Sequence, residues 1–282
     1  MLIHKEFTID QIHDTLVEGI RKYFADCKVK RAILGLSGGI DSAVVGVLAT
    51  EALGVDNMHA FMMPSEFSTL HSIQDAVDLA ENLGIKYDVV AIGEIYKRYM
   101  RELEPVFGLH NKWNVAEENL QARIRANLLM AYSNKFNALV INTSNKSELC
   151  MGYGTLYGDL AGALMPIADL YKGDIYELAY YINSNNNEVI PQSTLTKAPS
   201  AELHPGQKDS DSLPEYEIMD PLLYAMNEGG KSAAQLIKDG ADKAVIKRIT
   251  ELMSKSSFKV HQLPPILNIS SKPIGYKEKW LL

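Results

Sequence analysis

The sequence predicts an α/β fold, a doubly wound parallel sheet with helical additions at both ends. Three observations carry that prediction. Short apolar runs at 31–36, 58–63, 87–92 and 138–142 read as buried strands, and stretches of helical character separate them at about 42–53, 70–83, 93–103 and 115–134. Such alternation yields parallel strands with helices on both faces, joined by right-handed crossovers. The glycine-rich segment Gly35-Leu36-Ser37-Gly38-Gly39-Ile40-Asp41-Ser42 falls between the first strand and the first crossover helix. Pro64-Ser65 and Thr143-Ser144-Asn145 leave two further strands at the same end, where open α/β sheets gather their ligands.

The elements follow in order. Thr8-Ile9-Asp10-Gln11 reads as a capping box, and Ile9, Ile12, Leu16, Ile20 and Tyr23 recur at three- and four-residue steps behind it. After the four strand–helix units, a helix is expected over 172–183, ending at Asn183-Ser184-Asn185-Asn186-Asn187. The stretch from Pro191 to Pro214 is polar, holds four prolines and shows little periodicity, so it reads as a lid-like loop over about 193–214 or as a plain linker. Segments 215–227, 231–239 and 241–255 return to helix, and a tail with Pro264-Pro265 and Lys272-Pro273 is expected to be extended. Residues 1–282 are expected to form one domain.

Bulk properties narrow the function. Over 282 residues, 46% hydrophobic and 22% charged content is ordinary for a soluble globular chain. A net charge of −7 argues against a general nucleic-acid binder, whose footprint should be basic. Cys27 and Cys150 form no disulfide framework and no C-x-x-C pair, and read as reduced thiols. The N-terminus lacks a basic region followed by an apolar stretch, and no run is long enough to span a bilayer. A soluble, cytoplasmic protein with no membrane or nucleic-acid partner is expected.

The glycine-rich segment carries the chemistry. Gly38 and Gly39 let backbone approach an anion, and the following helix aims N–H groups and the positive end of its dipole at it. Ser37 and Ser42 add hydroxyl donors. Asp41 would repel a phosphate unless a cation lay between them, so it reads as a Mg²⁺ ligand. No Lys follows the last glycine, which excludes the Walker pattern. Elsewhere the residues leave alternatives. Thr143 suits a ribose or phosphate contact or a helix cap. Glu148 suits a second hard ligand for Mg²⁺ or a solvated first-turn acid. Asn119 and Arg123 share a helix face, while Arg123 and Arg125 taken alone read more simply as a solvated pair.

Residues 35–42 resemble the signature of the PP-loop ATP pyrophosphatases, which cleave ATP to AMP and pyrophosphate. Asn119-Leu120-Gln121-Ala122-Arg123-Ile124-Arg125, Thr143 through Glu148 and Tyr157-Gly158-Asp159 resemble segments of the NAD⁺ synthetase family. Lys197 through Leu203, with Gln207-Lys208-Asp209 and Ser212-Leu213-Pro214, resemble that family's glutamine-using branch. The likeness runs in order over roughly 10–270. It implies ATP-dependent amidation of deamido-NAD⁺ through an adenylate, in a homodimer whose dinucleotide lies across the interface. It further implies that Gly35 to Ser42, Thr143, Lys172 and Ser200 contact ATP, and that Asp41 and Glu148 hold Mg²⁺. Asn119, Arg123, Asp159, Phe258 and Lys259 would bind deamido-NAD⁺, and Asp41, Lys172 and Asp159 would carry the chemistry. Leu156 and Ala163 depart from the small ammonia-using branch, which has Lys and Asp there. About 30 residues precede the phosphate loop, too few for an amidase, so free ammonia is the expected nitrogen donor and a separate glutaminase subunit the alternative. A different PP-loop adenylylating enzyme and a nucleotide sensor without turnover are the remaining rivals. The absent C-x-x-C disfavours tRNA thiolation, and Asp41 together with Glu148 disfavours a sensor.

Overall fold

The apolar runs become four strands in the computed structural model, which describes residues 2–108 and 113–274. These are β1 (Arg31–Gly35), β2 (Met58–Met62), β3 (Lys86–Val89) and β4 (Ala138–Val140), all parallel, in the order β3-β2-β1-β4. β1 pairs Ile33 with His59 on one side and with Val140 on the other. The strands are shorter than the apolar runs at 87–92 and 138–142, because the chain leaves the sheet there to build the loops above it.

Side-chain alternation along β1 sorts the helices. Ala32 and Leu34 face α1 (Ile9–Cys27), α2 (Ile40–Leu53), α3 (Leu70–Leu83) and α7 (Lys172–Asn185), in one large apolar cluster. Ile33 faces the opposite way, with Phe61 and Val140, toward α4 (Gly93–Phe107) and α5 (Val115–Phe136). Each fully buried branched side chain contributes about 1.5–3 kcal/mol of transfer free energy, so both faces of the sheet are sealed. α2 is buried nearly all round because it lies between the sheet on one side and α1 and α7 on the other. Its sequence shows no polar stripe for that reason.

The capping box at Thr8 forms as expected, with the Thr8 N–H donating to Gln11 Oε1 at 3.0 Å. After β4 come α6 (Lys146–Met151) and then α7, followed by α8 (Gln192–Thr196), α9 (Tyr216–Asn227), α10 (Ala233–Lys238) and α11 (Lys243–Ser256). Helices α9 and α11 pack with Ile3, Met151 and Tyr171 in a third cluster beside the sheet. The polar stretch expected to be irregular holds α8 and a single 3-10 turn at Asp209–Asp211. The tail begins with a 3-10 turn at Ser257–Gln262, and beyond it Ile266 bridges to Met165. Among the described residues no helix is long and apolar enough to cross a membrane.

Candidate active site

The glycine-rich segment turns sharply at the carboxyl end of β1. Gly38 has φ +78°, and a Cβ there would fall 2.1 Å from the Ser72 carbonyl oxygen of α3. Only glycine fits both constraints. Ser42 Oγ donates to the Gly39 carbonyl at 3.0 Å and accepts the Ser37 N–H at 3.3 Å, which ties the turn to the first turn of α2. Gly39 caps α2 without a side-chain acceptor. An uncapped helix start of this kind leaves donors for an anion.

A cleft of about 330 Å³ opens above this turn, within the range of small-molecule sites. Gly35, Leu36, Ser37, Gly39, Ile40, Asp41, Ser42, Thr143, Glu148, Asp159, Lys172 and Ser200 all line it. Gly38 instead supports the turn from behind, its carbonyl accepting from Thr194 Oγ1 at 3.2 Å. The other expected binders lie outside the cleft, arranged around the loop that ends at Asp159. Asn119 Oδ1 accepts from Thr155 Oγ1 at 2.6 Å, and Arg123 Nε donates to the Leu156 carbonyl at 3.2 Å. Lys259 Nζ donates to the carbonyls of Gly152 and Gly154 at 2.8 and 2.6 Å. Phe258 is 54% exposed beside it. Tyr157, at φ +62° and 69% exposed, is pinned by its hydroxyl to Gln262. A bulky residue at positive φ is a strained turn held by its surroundings.

Three charged groups converge at the floor. Lys172 Nζ lies 2.5 Å from Asp41 Oδ2 and 3.4 Å from Glu148 Oε1. Asn145 Nδ2 donates to Asp41 Oδ1 at 2.9 Å, and Asn145 also caps α6 through the Glu148 N–H. Burial opposes the charge on Lys172, but the two carboxylates outweigh it and hold the ammonium well above its usual range. Burial and the neighbouring Asp41 push the Glu148 carboxyl up to about 8 despite the lysine. Two hard oxygen donors facing one cation, with negative charge still under-compensated, fit a divalent ion such as Mg²⁺. Among the described residues no group of three or more acidic, His or Cys side chains forms a complete metal cage. Asp41 and Glu148 would therefore hold such an ion jointly with oxygens of a ligand.

The far wall carries Arg125, to which the sequence assigned no role. Arg125, two residues beyond Arg123, points into the cleft and donates from Nε to the Met63 carbonyl at 3.0 Å. Burial lowers its guanidinium to about 10 against the pull of Asp159 and Glu202. Burial likewise raises the Asp159 carboxyl, although its side chain remains accessible from the cleft. The backbone at Asp159 is fixed from the loop just after β4, since Asn142 Nδ2 donates to its carbonyl at 2.5 Å. The stretch after α8 drapes over the mouth. Lys197 Nζ meets Asp75 Oδ2 at 2.8 Å, and Glu202 accepts from Ser72 Oγ at 2.8 Å and Thr69 Oγ1 at 3.0 Å at the start of α3. Asp209, from the 3-10 turn, accepts from Tyr153 and Tyr216 beside Lys172.

The profile of one protein family, NAD synthase, matches residues 12–264. The chain belongs to that family. The glutamine-dependent NAD(+) synthetase of Synechocystis is 46% identical over 266 residues, 94% of this chain and 47% of the relative. That of Thermotoga maritima is 41% identical over 267 residues, 94% of this chain and 46% of the relative. The chain thus spans about half the length of the curated relatives it matches. An NH3-dependent NAD synthetase from Campylobacter jejuni superposes with a TM-score of 0.72 at 32% identity, over 93% of this chain and all of that one. An NMN synthetase from Francisella tularensis gives 0.77 at 29%, over 95% of this chain and 99% of that one. As a NAD synthase family member the chain has the PP-loop α/β fold.

Proposed function

We propose that this chain amidates deamido-NAD⁺ to NAD⁺ at the expense of ATP, through an adenylylated intermediate, with free ammonia as nitrogen donor. In this reading residues 1–282 act as one synthetase unit and 193–214 as its lid. The observation that carries it is the meeting of Asp41, Glu148 and Lys172 beneath an uncapped helix start. A nicotinate carboxylate resists ammonia because oxide is a poor leaving group. Its oxygen attacks the α-phosphorus of ATP, pyrophosphate departs, and the resulting acyl adenylate has a good leaving group. Ammonia then adds to the acyl carbon and AMP leaves.

Gly35 to Ser42 cradle the phosphates, Thr143 and Ser200 contact ATP, and Lys172 answers charge developing at the α-phosphate. Asp41 and Glu148 would hold Mg²⁺, whose charge, when bound, would offset that of the phosphates. Asp159 binds ammonium and accepts its proton, a role for which burial has raised its carboxyl. Asn119, Arg123, Phe258 and Lys259 receive the dinucleotide around the 152–159 loop, completed by a second copy of the chain in a homodimer. The setting is the cytoplasm.

Pyrophosphate release that requires both deamido-NAD⁺ and ATP tests the reaction, and release without deamido-NAD⁺ or none at all refutes it. Running the assay on ammonium or on glutamine as sole nitrogen source tests the donor. The glutamine-dependent relatives favour a second source, a separate glutaminase subunit, and turnover on ammonium only at concentrations far above the dinucleotide's would support it. Nicotinate mononucleotide belongs in the same assay, because one structural neighbour is an NMN synthetase.

A further inference from the structure

Lys172 is the first residue of α7, so its side chain can be no better placed than that helix start. The first-turn N–H groups are each tied to a different part of the chain. The Tyr171 N–H donates to Asp174 Oδ2 at 3.2 Å, the Lys172 N–H to Ser147 Oγ at 2.9 Å, and the Gly173 N–H to Asp220 Oδ2 at 2.9 Å. Asp174 is fully buried and is itself gripped from the far end of the sequence. Its Oδ1 accepts the N–H groups of Ile3 and His4 at 2.6 and 3.2 Å, and its Oδ2 lies 2.7 Å from His4 Nδ1. The His4 ring is also fully buried and stacks on Tyr171 at 5.3 Å between centroids. Glu228 joins the same knot, accepting from Tyr171 Oη at 2.8 Å and from Lys146 Nζ at 2.5 Å, two residues before Glu148. No role in phosphate or dinucleotide binding accounts for this investment in residues 3 and 4.

We propose that the strap Ile3-His4 is a positioning element for Lys172, with His4 acting through Asp174 on the start of α7. The proposal rests on the reading of Lys172 as the group that answers charge at the α-phosphate. Neither Ile3 nor His4 lines the cleft. The strap fixes where the ammonium sits, and displacement of a catalytic group by about 1 Å is enough to cost on the order of a hundredfold in rate.

Three variants of the full chain test it: His4→Ala, His4→Phe, which keeps a ring against Tyr171 without the N–H, and His4→Gln, which restores an amide donor. Two measurements are made on each. In steady-state pyrophosphate release, His4→Ala and His4→Phe are expected to lose at least tenfold in kcat with KM for ATP within twofold, and His4→Gln to recover most of the loss. In hydrogen exchange of the substrate-free protein, amides 171–175 are expected to exchange at least tenfold faster in His4→Phe while those of β1 are unchanged. Unaltered exchange at 171–175, or a rise in KM with kcat intact, overturns the proposal. A His4→Ala chain that does not fold leaves His4→Phe to decide. Should the wild-type chain show no deamido-NAD⁺-dependent release, the functional reading fails, and the exchange result still judges the strap.

Discussion

Lys172 Nζ sits 2.5 Å from Asp41 Oδ2, although 131 residues separate the two in sequence. The contact joins the glycine-rich loop of the first strand unit to the start of α7. Glu148 Oε1 lies 3.4 Å from the same ammonium, so the lysine is engaged by two carboxylates at once.

Replacing Asp41 with Ala removes one oxygen donor and the partner that sets the lysine's position. Adenylate formation, followed as pyrophosphate release, should fall by roughly 10²–10³ as for loss of other transition-state electrostatic contacts. Circular dichroism should remain that of the folded protein, because Glu148 still faces Lys172. Undiminished release in the variant would refute the assignment of the phosphate site.

Gly38→Ala places a methyl group where the Ser72 carbonyl stands and demands a positive φ of an alanine. Left-handed backbone alone costs about 1–2 kcal/mol, and the clash adds to it. A fall in thermal midpoint is expected together with a raised KM for ATP, since the loop must move away from α3. An unchanged midpoint by calorimetry would show the loop to be more yielding than its packing implies.

His4 supplies the pH dependence of stability. Burial works against its charge, but the hydrogen bond to Asp174 and the Glu228 carboxylate 3.8 Å from Nε2 outweigh burial and the nearby Lys146, raising it from 6.5 to about 9. A raised folded value favours the folded state fully below pH 6.5, and the gain disappears as pH rises through about 9. The shift corresponds to roughly 3 kcal/mol at most. Urea unfolding of the wild type and His4→Gln should therefore differ most near pH 6 and converge above pH 9. Parallel curves across that range would count against a protonated His4.

Glu202 holds the mouth stretch through Thr69 and Ser72 while itself at φ +49°. Glu202→Ala should speed protease cleavage within 193–214 several-fold, and ATP should slow cleavage of the wild type more than of the variant. Equal cleavage of both proteins, with and without ATP, would exclude a lid there.

Local chemistry decides what can be seen in the sequence. The unit β1–loop–α2 is legible because each property it needs, a buried run, two glycines and an acid at a helix start, is written within a dozen residues. The two-faced sheet follows from the alternation of Ala32, Ile33 and Leu34. Lys172 has no local mark, and its role came from a family likeness alone. Arg123 and Arg125 are indistinguishable by composition, yet two helical steps send one to the Leu156 carbonyl and the other into the cleft. The mouth stretch looked featureless because its partners, Asp75, Ser72 and Gly38, lie on other elements. For the same reason nothing near His4 announces Asp174.

The strand order has a consequence for a chain still being made. β1 is paired by β2 early, but its other edge waits for β4, the last strand to be synthesised among the described residues. Until Ala138–Val140 leaves the ribosome, an apolar strand presents a bare row of peptide groups, a template for unwanted pairing. A transcript truncated within α5 should therefore yield an aggregating fragment, and so should a ribosome stalled there.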